Sequence, residues 1–577
     1  MSQEETSSRP ISTRRQFIQQ SAAATVAVTA ALAAPVETRA AVKTLRAGRS
    51  SSYFDLLRAP DVVRVFTDND ARKLKGEGSG RWTDQDIEVT TAVKANGIVI
   101  SLSAPKTGIK RVHLRWNGAM ASGQRFLGDH WERAYGDLEW RGSVPDRAMP
   151  WYFAAWDGAR THGYGVQTGP AAFCFWQTDS EGISLWADVR SGGMPLSLGS
   201  RTLEICTVVT RPGKSGETAF EALHAFCRQM CPTPRLADHS IYGHNDWDFA
   251  YGNNSAASTI EAAHRLVSLS PGGANRPYVV IDDGWEPAGP GKAGPWDAGN
   301  SKFPDMQGLT ADVKKIGARP GIWIRPTTAW TGQPDNWRIS GRNGSLDPTV
   351  PEVKQQIESD MARLTKWGYE LIKHDFSTVD IMGRFGNRMG ANLTDDGWKF
   401  AEGQGRTTVE VILDLYRIMR RGAGTAVVLG CNTFSHLSAG IFEASRTGDD
   451  TSGQNWERTR KMGINCLAFR NAQNRAFYAT DPDMAPLTKD VPWEKTEQWL
   501  DLVARSGSVL FTSLDMSVVG PAQEAKLKEV LAIAAAGQPL GEPLDWLDTN
   551  CPEQWKLNGK TKRYQWQNEE GASPFGV

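Results

Sequence analysis

PEVKQQIESDMARLTKWGYELIKHDFS, residues 351–377, carries two rhythms in succession. Up to Gly368 its apolar residues recur at helical spacing, and after Glu370 a short apolar run ends in Lys373 and Asp375. A strand that short and that apolar is buried on both faces, which is the habit of parallel sheets. Side chains alternate along a strand, so Lys373 and Asp375 share one side of it and leave the sheet together. A cation and an anion placed there ask what they serve.

The same pattern repeats outward in both directions. Apolar runs SIYGH near 240, PYVVID near 279, GIWIRP near 323, ELIKHD near 372, AVVLGC near 428, GIFEASR near 443, AFYATD near 478 and SVLFTS near 510 alternate with helical stretches such as AASTIEAAHRLVSL, TADVKKIG and TTVEVILDLYRIMRRG. Eight strand–helix units predict a (β/α)8 TIM barrel over residues 237–537. A doubly wound open sheet is the alternative, but no GxGxxG or Walker loop follows the first strand. Before the barrel, residues 41–236 hold period-two runs (IEVTTAV, GIVISLSA, RVHLRW, AAFCFW, ISLWADV, LEICTVVT) cut by turn residues, which predict an antiparallel β-sandwich. After it, residues 538–577 read as a few strands, either packed on the barrel or the start of a domain that is not completed.

Composition narrows the function. Basic and acidic residues number 65 each, so nothing favours a polyanionic partner such as nucleic acid, and a neutral ligand fits better. The 22 tryptophans offer flat apolar faces. Trp131, Trp140, Trp151 and Trp156 stand among Arg, Asp and Glu, which suits either sugar binding or a packed seam between domains. Ser12-Thr13-Arg14-Arg15-Gln16-Phe17-Ile18, followed by an Ala/Val-rich stretch and Thr38-Arg39-Ala40, resembles a twin-arginine export signal over residues 1–40. The expectation is a periplasmic or secreted protein with no membrane span after signal cleavage. Seven cysteines without zinc spacing predict buried thiols and few disulfides, and no metal or organic cofactor is called for.

Active sites of TIM barrels lie where the strands exit, so the polar residues ending the apolar runs are the informative ones. Trp247 and Asp248, Asp282 and Asp283, Arg325, Lys373 and Asp375, Cys431 and Asn432, Arg446 and Asp450, Asp481 and Asp483, and Ser513 and Asp515 follow the eight runs in turn. Several carboxylates and a few cations around one mouth, with Trp and no metal triad, suit glycosidic bond cleavage, which needs one ionised and one protonated carboxyl group about an anomeric carbon.

Ile281-Asp282-Asp283-Gly284-Trp285, Lys373-His374-Asp375, Arg446-Thr447-Gly448-Asp449-Asp450 and Asp481-Pro482-Asp483-Met484 resemble, in order and spacing, the alpha-galactosidases of glycoside hydrolase families 27 and 36, clan D, over about residues 239–520. The preceding sandwich is similar to the N-terminal domain of family 36. The resemblance implies a retaining reaction through a covalent glycosyl-enzyme. It makes Asp375 the nucleophile, Asp450 the acid/base with Asp449 as its rival, and Arg446 a substrate contact. It further implies that Asp282, Asp283, Lys373 and Asp483 bind hydroxyls, that Trp247 is a stacking wall, and that Cys431-Asn432 faces the sugar's 2-substituent. Asn432 stands where family 27 has Glu, and His374 replaces the usual aromatic inside the nucleophile motif. An alpha-galactoside is the expected substrate. A beta-L-arabinopyranoside, transglycosylation at the same intermediate, and an inactive carbohydrate-binding protein are the other readings. The segment STVDIMGRFGNRMG has no counterpart in the family and is expected to be a lid or subsite loop.

Overall fold

The structure, a computed structural model, describes residues 52–94, 97–292 and 294–573; the expected export signal lies outside them. Pro351–Trp367 is a helix, started by a proline at its first turn and stopped by Gly368 at φ 113°. Proline there forgoes an N–H that has no partner anyway, and glycine accepts the left-handed stop without a Cβ clash. Val353, Ile357, Met361 and Leu364 form its buried stripe.

The strand after it belongs to a nine-strand parallel sheet: β1 Tyr242–Asn245, β2 Tyr278–Ile281, β3 Arg319–Ile324, β4 Leu371–His374, β5 Val427–Gly430, β6 Ala444–Arg446, β7 Ala479–Asp481, β8 Met484–Leu487 and β9 Leu510–Leu514. Their order is β7-β6-β5-β4-β3-β2-β1-β9-β8. The two edge strands, β7 and β8, are separated in sequence only by Pro482 and Asp483. Three Cα–Cα steps of about 3.8 Å hold those edges within about 11 Å of each other, so the sheet curls back on itself in a TIM-barrel-like manner. Alternation sorts the side chains into two layers. Tyr278, Val280, Leu371, Val427, Leu429, Ala444, Met484 and Phe511 make one apolar cluster. Val279, Ile281, Ile322, Ile372 and Val428 join the larger core shared with the helices.

Two departures from the expected eight regular units have physical causes. The seventh strand is split, because Pro482 has no N–H for the ladder and Asp483 turns the chain at φ 74°. Helix alternation also fails after β5, where only the short helix Ser435–Ser438 appears, and the helical run after β6, residues 456–473, is interrupted by a π turn at Arg460–Asn465. Another layer fills that side. His436 stacks on Trp151 with centroids 5.1 Å apart, Phe434 meets Phe173 at 4.8 Å, and Arg470 pairs with Asp129 at 2.7 Å.

That layer comes from two antiparallel sheets, of six and eight strands, built by Val62–Arg211. The six runs expected as strands all fall in them. The tryptophan-rich tract resolves as packing. Trp131 and Trp151 are buried edge to face at 5.1 Å, Trp140 packs on Trp546, and Trp131 Nε1 donates to the Gly390 carbonyl at 2.8 Å. A three-stranded antiparallel sheet ends the described chain and packs on the helix Trp493–Arg505, with Tyr564 Oη donating to Asp501 at 2.8 Å. All seven cysteines are buried and unpaired. Among the described residues no helix is long and apolar enough to cross a membrane.

Candidate active site

The exits of β2 and β4 are tied together by charge. Lys373 Nζ donates to Asp282 Oδ2 at 2.6 Å, and both side chains are buried. Asp282 is saturated further by Asn245 Nδ2 and the Asp283 amide, both at 2.9 Å. The paired carboxylate holds the Lys373 ammonium well above the usual lysine range against the burial that opposes it. Its neighbour His374 points the other way, into Tyr416 and Phe442, and burial pushes it down to about 3.

Asp375, just past β4, is held by three donors. Oδ1 accepts from the amides of Phe376 at 2.7 Å and Asn432 at 3.1 Å, and Oδ2 accepts from Trp323 Nε1 at 3.1 Å. The Trp323 contact follows from register: Trp323 on β3 lies opposite Lys373, two residues before Asp375. Phe376 adopts φ 62°, a turn that brings its amide back onto the carboxylate. The result is an acceptor aimed by fixed dipoles and only 8 % exposed.

Arg446, at the end of β6, is sealed from solvent and distributes its guanidinium over four partners: Asp483 at 2.7 Å, Asp450 at 3.2 Å, Cys431 Sγ at 3.3 Å and the Gly448 carbonyl at 3.3 Å. Asp483 also accepts from the amide and hydroxyl of Thr451 at 2.7 and 3.0 Å. Asp450 keeps 37 % of its side chain open and Asp449 18 %. Burial works against ionisation of Asp450, but Arg133 and Arg446, with Lys373 and Arg458 farther out, outweigh it and hold the carboxyl well below the usual range. The cations thus favour the ionised form of Asp450.

Asn432 is fully buried. Its Nδ2 donates to Glu132 Oε2 at 2.8 Å, and its Oδ1 accepts from the Val379 amide at 3.3 Å, so both ends of the amide are engaged within the protein. Cys431 is buried beside Arg133 and Arg446. Asp283 Oδ2 accepts from the Gly291 amide at 2.9 Å, and burial together with the neighbouring Asp283 raises Glu286. Trp247 opens the short helix Trp247–Ala250, half-buried and edge-on to Tyr251 at 5.6 Å, with its ring against the inner cluster. The loop after Asp375 forms the helix Ser377–Met382, and Arg384 is tied to Asp395 and the Asn392 carbonyl.

Glu132 and Arg133 were not among the expected site residues. They sit inside the tract whose tryptophans drew attention, and they come from the antiparallel region. The charged residues of that tract, not its aromatic ones, reach the mouth of the parallel sheet. Trp323 carries no local signal and is found only through strand register. Asp246, raised to about 7 by burial and the adjacent Asp282, and Asp248, bound by the Thr451 hydroxyl at 2.8 Å, complete an acidic rim behind the Lys373–Asp282 pair.

With this geometry in place, solved structures can be compared. The chain is similar to the alpha-galactosidase of Thermus thermophilus in complex with p-nitrophenyl alpha-D-galactopyranoside, with a TM-score of 0.57 and 16% identity over 87% of this chain and 99% of that one. It shares the fold of the family 36 alpha-galactosidases. A family 36 alpha-galactosidase from Geobacillus stearothermophilus in complex with raffinose has a TM-score of 0.53 and 16% identity, covering 83% of this chain and 75% of the other. The alpha-galactosidase from Lactobacillus brevis has a TM-score of 0.53 and 13% identity, covering 83% and 69%. No protein-family model matches the sequence, and no curated protein matches it.

Proposed function

We propose that this protein is a retaining glycoside hydrolase of the alpha-galactosidase type. In this reading the curled sheet works as a (β/α)8 barrel flanked by a β-sandwich, and the strand exits form the sugar site. The observation that carries it is the triply held carboxylate of Asp375 beside the buried Lys373–Asp282 pair. A carboxylate fixed by three donors loses little freedom when it attacks, which is what a nucleophile at an anomeric carbon requires.

The chain's own residues then divide the work. Asp375 Oδ attacks the anomeric carbon as the bond to the aglycone oxygen breaks and Asp450 gives that oxygen a proton. Asp450, now ionised, takes a proton from water, whose oxygen displaces Asp375 and restores the free enzyme. Asp283 and Asp483 accept hydroxyl hydrogens, and Trp247 covers one face of the ring. Alpha-galactosides are the substrate class. The motif at Ser12–Ile18 supports export by the twin-arginine route, and fractionation of cells expressing the full chain tests it: cytoplasmic retention of an intact N-terminus contradicts export.

A panel of p-nitrophenyl glycosides tests the activity, with Asp375→Ala and Asp450→Ala assayed in the presence of azide. The expected result is turnover of the alpha-galactoside by the wild type and loss of at least about a thousandfold in Asp375→Ala. Azide should rescue Asp375→Ala with formation of the beta-galactosyl azide, and Asp450→Ala with the alpha-galactosyl azide. Activity confined to the beta-L-arabinopyranoside would change the substrate, and full activity in Asp375→Ala would remove the nucleophile.

A further inference from the structure

The stretch from Asp129 to Leu138 leaves the antiparallel region and is fastened to the segment after β6 at every step. Asp129 pairs with Arg470 at 2.7 Å, and Ala134 exchanges backbone bonds with Thr447 at 2.8 Å and Asp449 at 2.9 Å. The Leu138 amide and carbonyl are both held by Asn465, at 3.2 and 2.8 Å. Gly448 sits in the tightest part of this join: a Cβ there would lie 2.2 Å from the Met462 carbonyl oxygen. Fixed backbone on both sides means that the side chains between them are presented without freedom to swing. Arg133 is one of these. It is buried, and its fork spans two adjacent carboxylates, Asp449 at 2.6 Å and Asp450 at 3.3 Å. Glu132, on its other side, accepts from the Gly386 amide and from Asn432 Nδ2, both at 2.8 Å, and from the Tyr135 hydroxyl. The Asn432 amide in turn donates to Asp375. One dipeptide thus touches the surroundings of both carboxylates invoked above.

We infer that Arg133 is a positioning residue that sets the protonation of Asp450, favouring its ionised form and with it the half-reaction in which that carboxylate takes a proton from water. The inference rests on the assignment of Asp450 as acid/base. Groups around Asp450 act in both directions. Arg133, Arg446, Lys373 and Arg458 stabilise its charge, whereas Asp483 and Asp248 oppose it, and a negative charge on the adjoining Asp449 acts in the same sense as theirs. Of the cations, Arg133 and Arg446 touch it, and only Arg133 belongs to the antiparallel region. A carboxyl held low is a good base for the second step and a scarce acid for the first. The limb of kcat/KM that reports loss of the donor's proton therefore lies at acidic pH, and Arg133 keeps it there. The step remains balanced: the proton that goes to the aglycone oxygen is the one later recovered from water.

The test is the pH profile of kcat/KM on p-nitrophenyl alpha-galactoside for the wild type, Arg133→Met, Arg133→Lys and Asp449→Asn. Arg133→Met should move the alkaline limb up by at least about one pH unit, the scale of one close opposite charge, and Arg133→Lys should restore most of the shift. Asp449→Asn should move the limb down, because it frees Arg133 for Asp450 and removes a like charge. If Arg133→Met is misfolded by circular dichroism, Arg133→Gln, which keeps polar bonding and removes only the charge, should give the same upward displacement. Unchanged limbs in both variants, with azide rescue of Asp450→Ala intact, would leave Asp450 as acid/base and overturn the role of Arg133. Azide rescue of Asp449→Asn with retention, and none for Asp450→Ala, would instead overturn the underlying assignment and the inference with it.

Discussion

Replacing Lys373 by Met removes one charge from a pair that is almost entirely out of water, with 7 % of the Lys373 side chain and 4 % of the Asp282 side chain exposed. Breaking a buried pair by deleting one partner costs about 3–5 kcal/mol, because the remaining charge stays desolvated. Asp282 would keep the Asn245 amide and the Asp283 N–H at 2.9 Å each, which places Lys373→Met near the lower end, about 3 kcal/mol. Asp282→Asn leaves an ammonium with no other bonded partner at this distance and belongs near the upper end, about 4 kcal/mol. The double variant strands neither charge and should lose only about 1–2 kcal/mol, giving a coupling energy of about 5–6 kcal/mol. Lys373 is raised in the fold, so its contribution is complete below the unfolded lysine pKa of about 10.4 and is lost progressively as pH climbs from there to the folded value. Neutral buffer therefore measures it in full. Urea unfolding followed by tryptophan fluorescence of the four proteins provides the cycle. Additivity within about 0.5 kcal/mol would refute the claim that this pair is a mutually dependent unit holding two strand exits.

Two further outcomes follow from single contacts. Trp323→Phe keeps an aromatic ring but removes the 3.1 Å bond to Asp375 and leaves a small cavity, so kcat/KM on an aryl alpha-galactoside should fall by about tenfold in protein that is still folded at the assay temperature; an unchanged rate would show that the indole does not aim the carboxylate. His374 is held near 3 by burial, with neither ring nitrogen bonded, so the unfolded chain binds its proton first and stability falls as pH drops below about 6.5. Between neutrality and pH 5 that amounts to about 2 kcal/mol, and His374→Phe should abolish this part of the acid loss; equal acid sensitivity of the two proteins contradicts it.

Much of the architecture can be read from the chain because it depends on local repetition. Each apolar run near 279, 323, 372 and 428 became a strand, and the start signal of Pro351 and the stop signal of Gly368 bound their helix. The split at Pro482 and Asp483 was written in the same residues that suggest a site, yet only closure of the sheet shows that β7 and β8 lie on opposite edges. The missing long helix after β5 was not legible, since the layer that replaces it comes from Trp151 and Phe173, more than two hundred residues earlier in the chain. The strand-end carboxylates were visible as a series. Their states were not, because Asp450 is governed by Arg133 and Asn432 is engaged by Glu132, both across about three hundred residues of sequence. Charge interleaved with tryptophan marked the tract but could not say which of the two faces the site.

The central claim is that Asp375 forms a bond to the sugar. Incubation with a fluorinated alpha-galactosyl fluoride, which slows breakdown of a glycosyl-enzyme more than its formation, followed by peptide mass spectrometry, examines that bond itself. One fluorohexosyl group on the peptide containing Asp375 is the predicted result. A label on Asp449, Asp450 or any other side chain, or turnover with inverted anomeric configuration and no label, would contradict it.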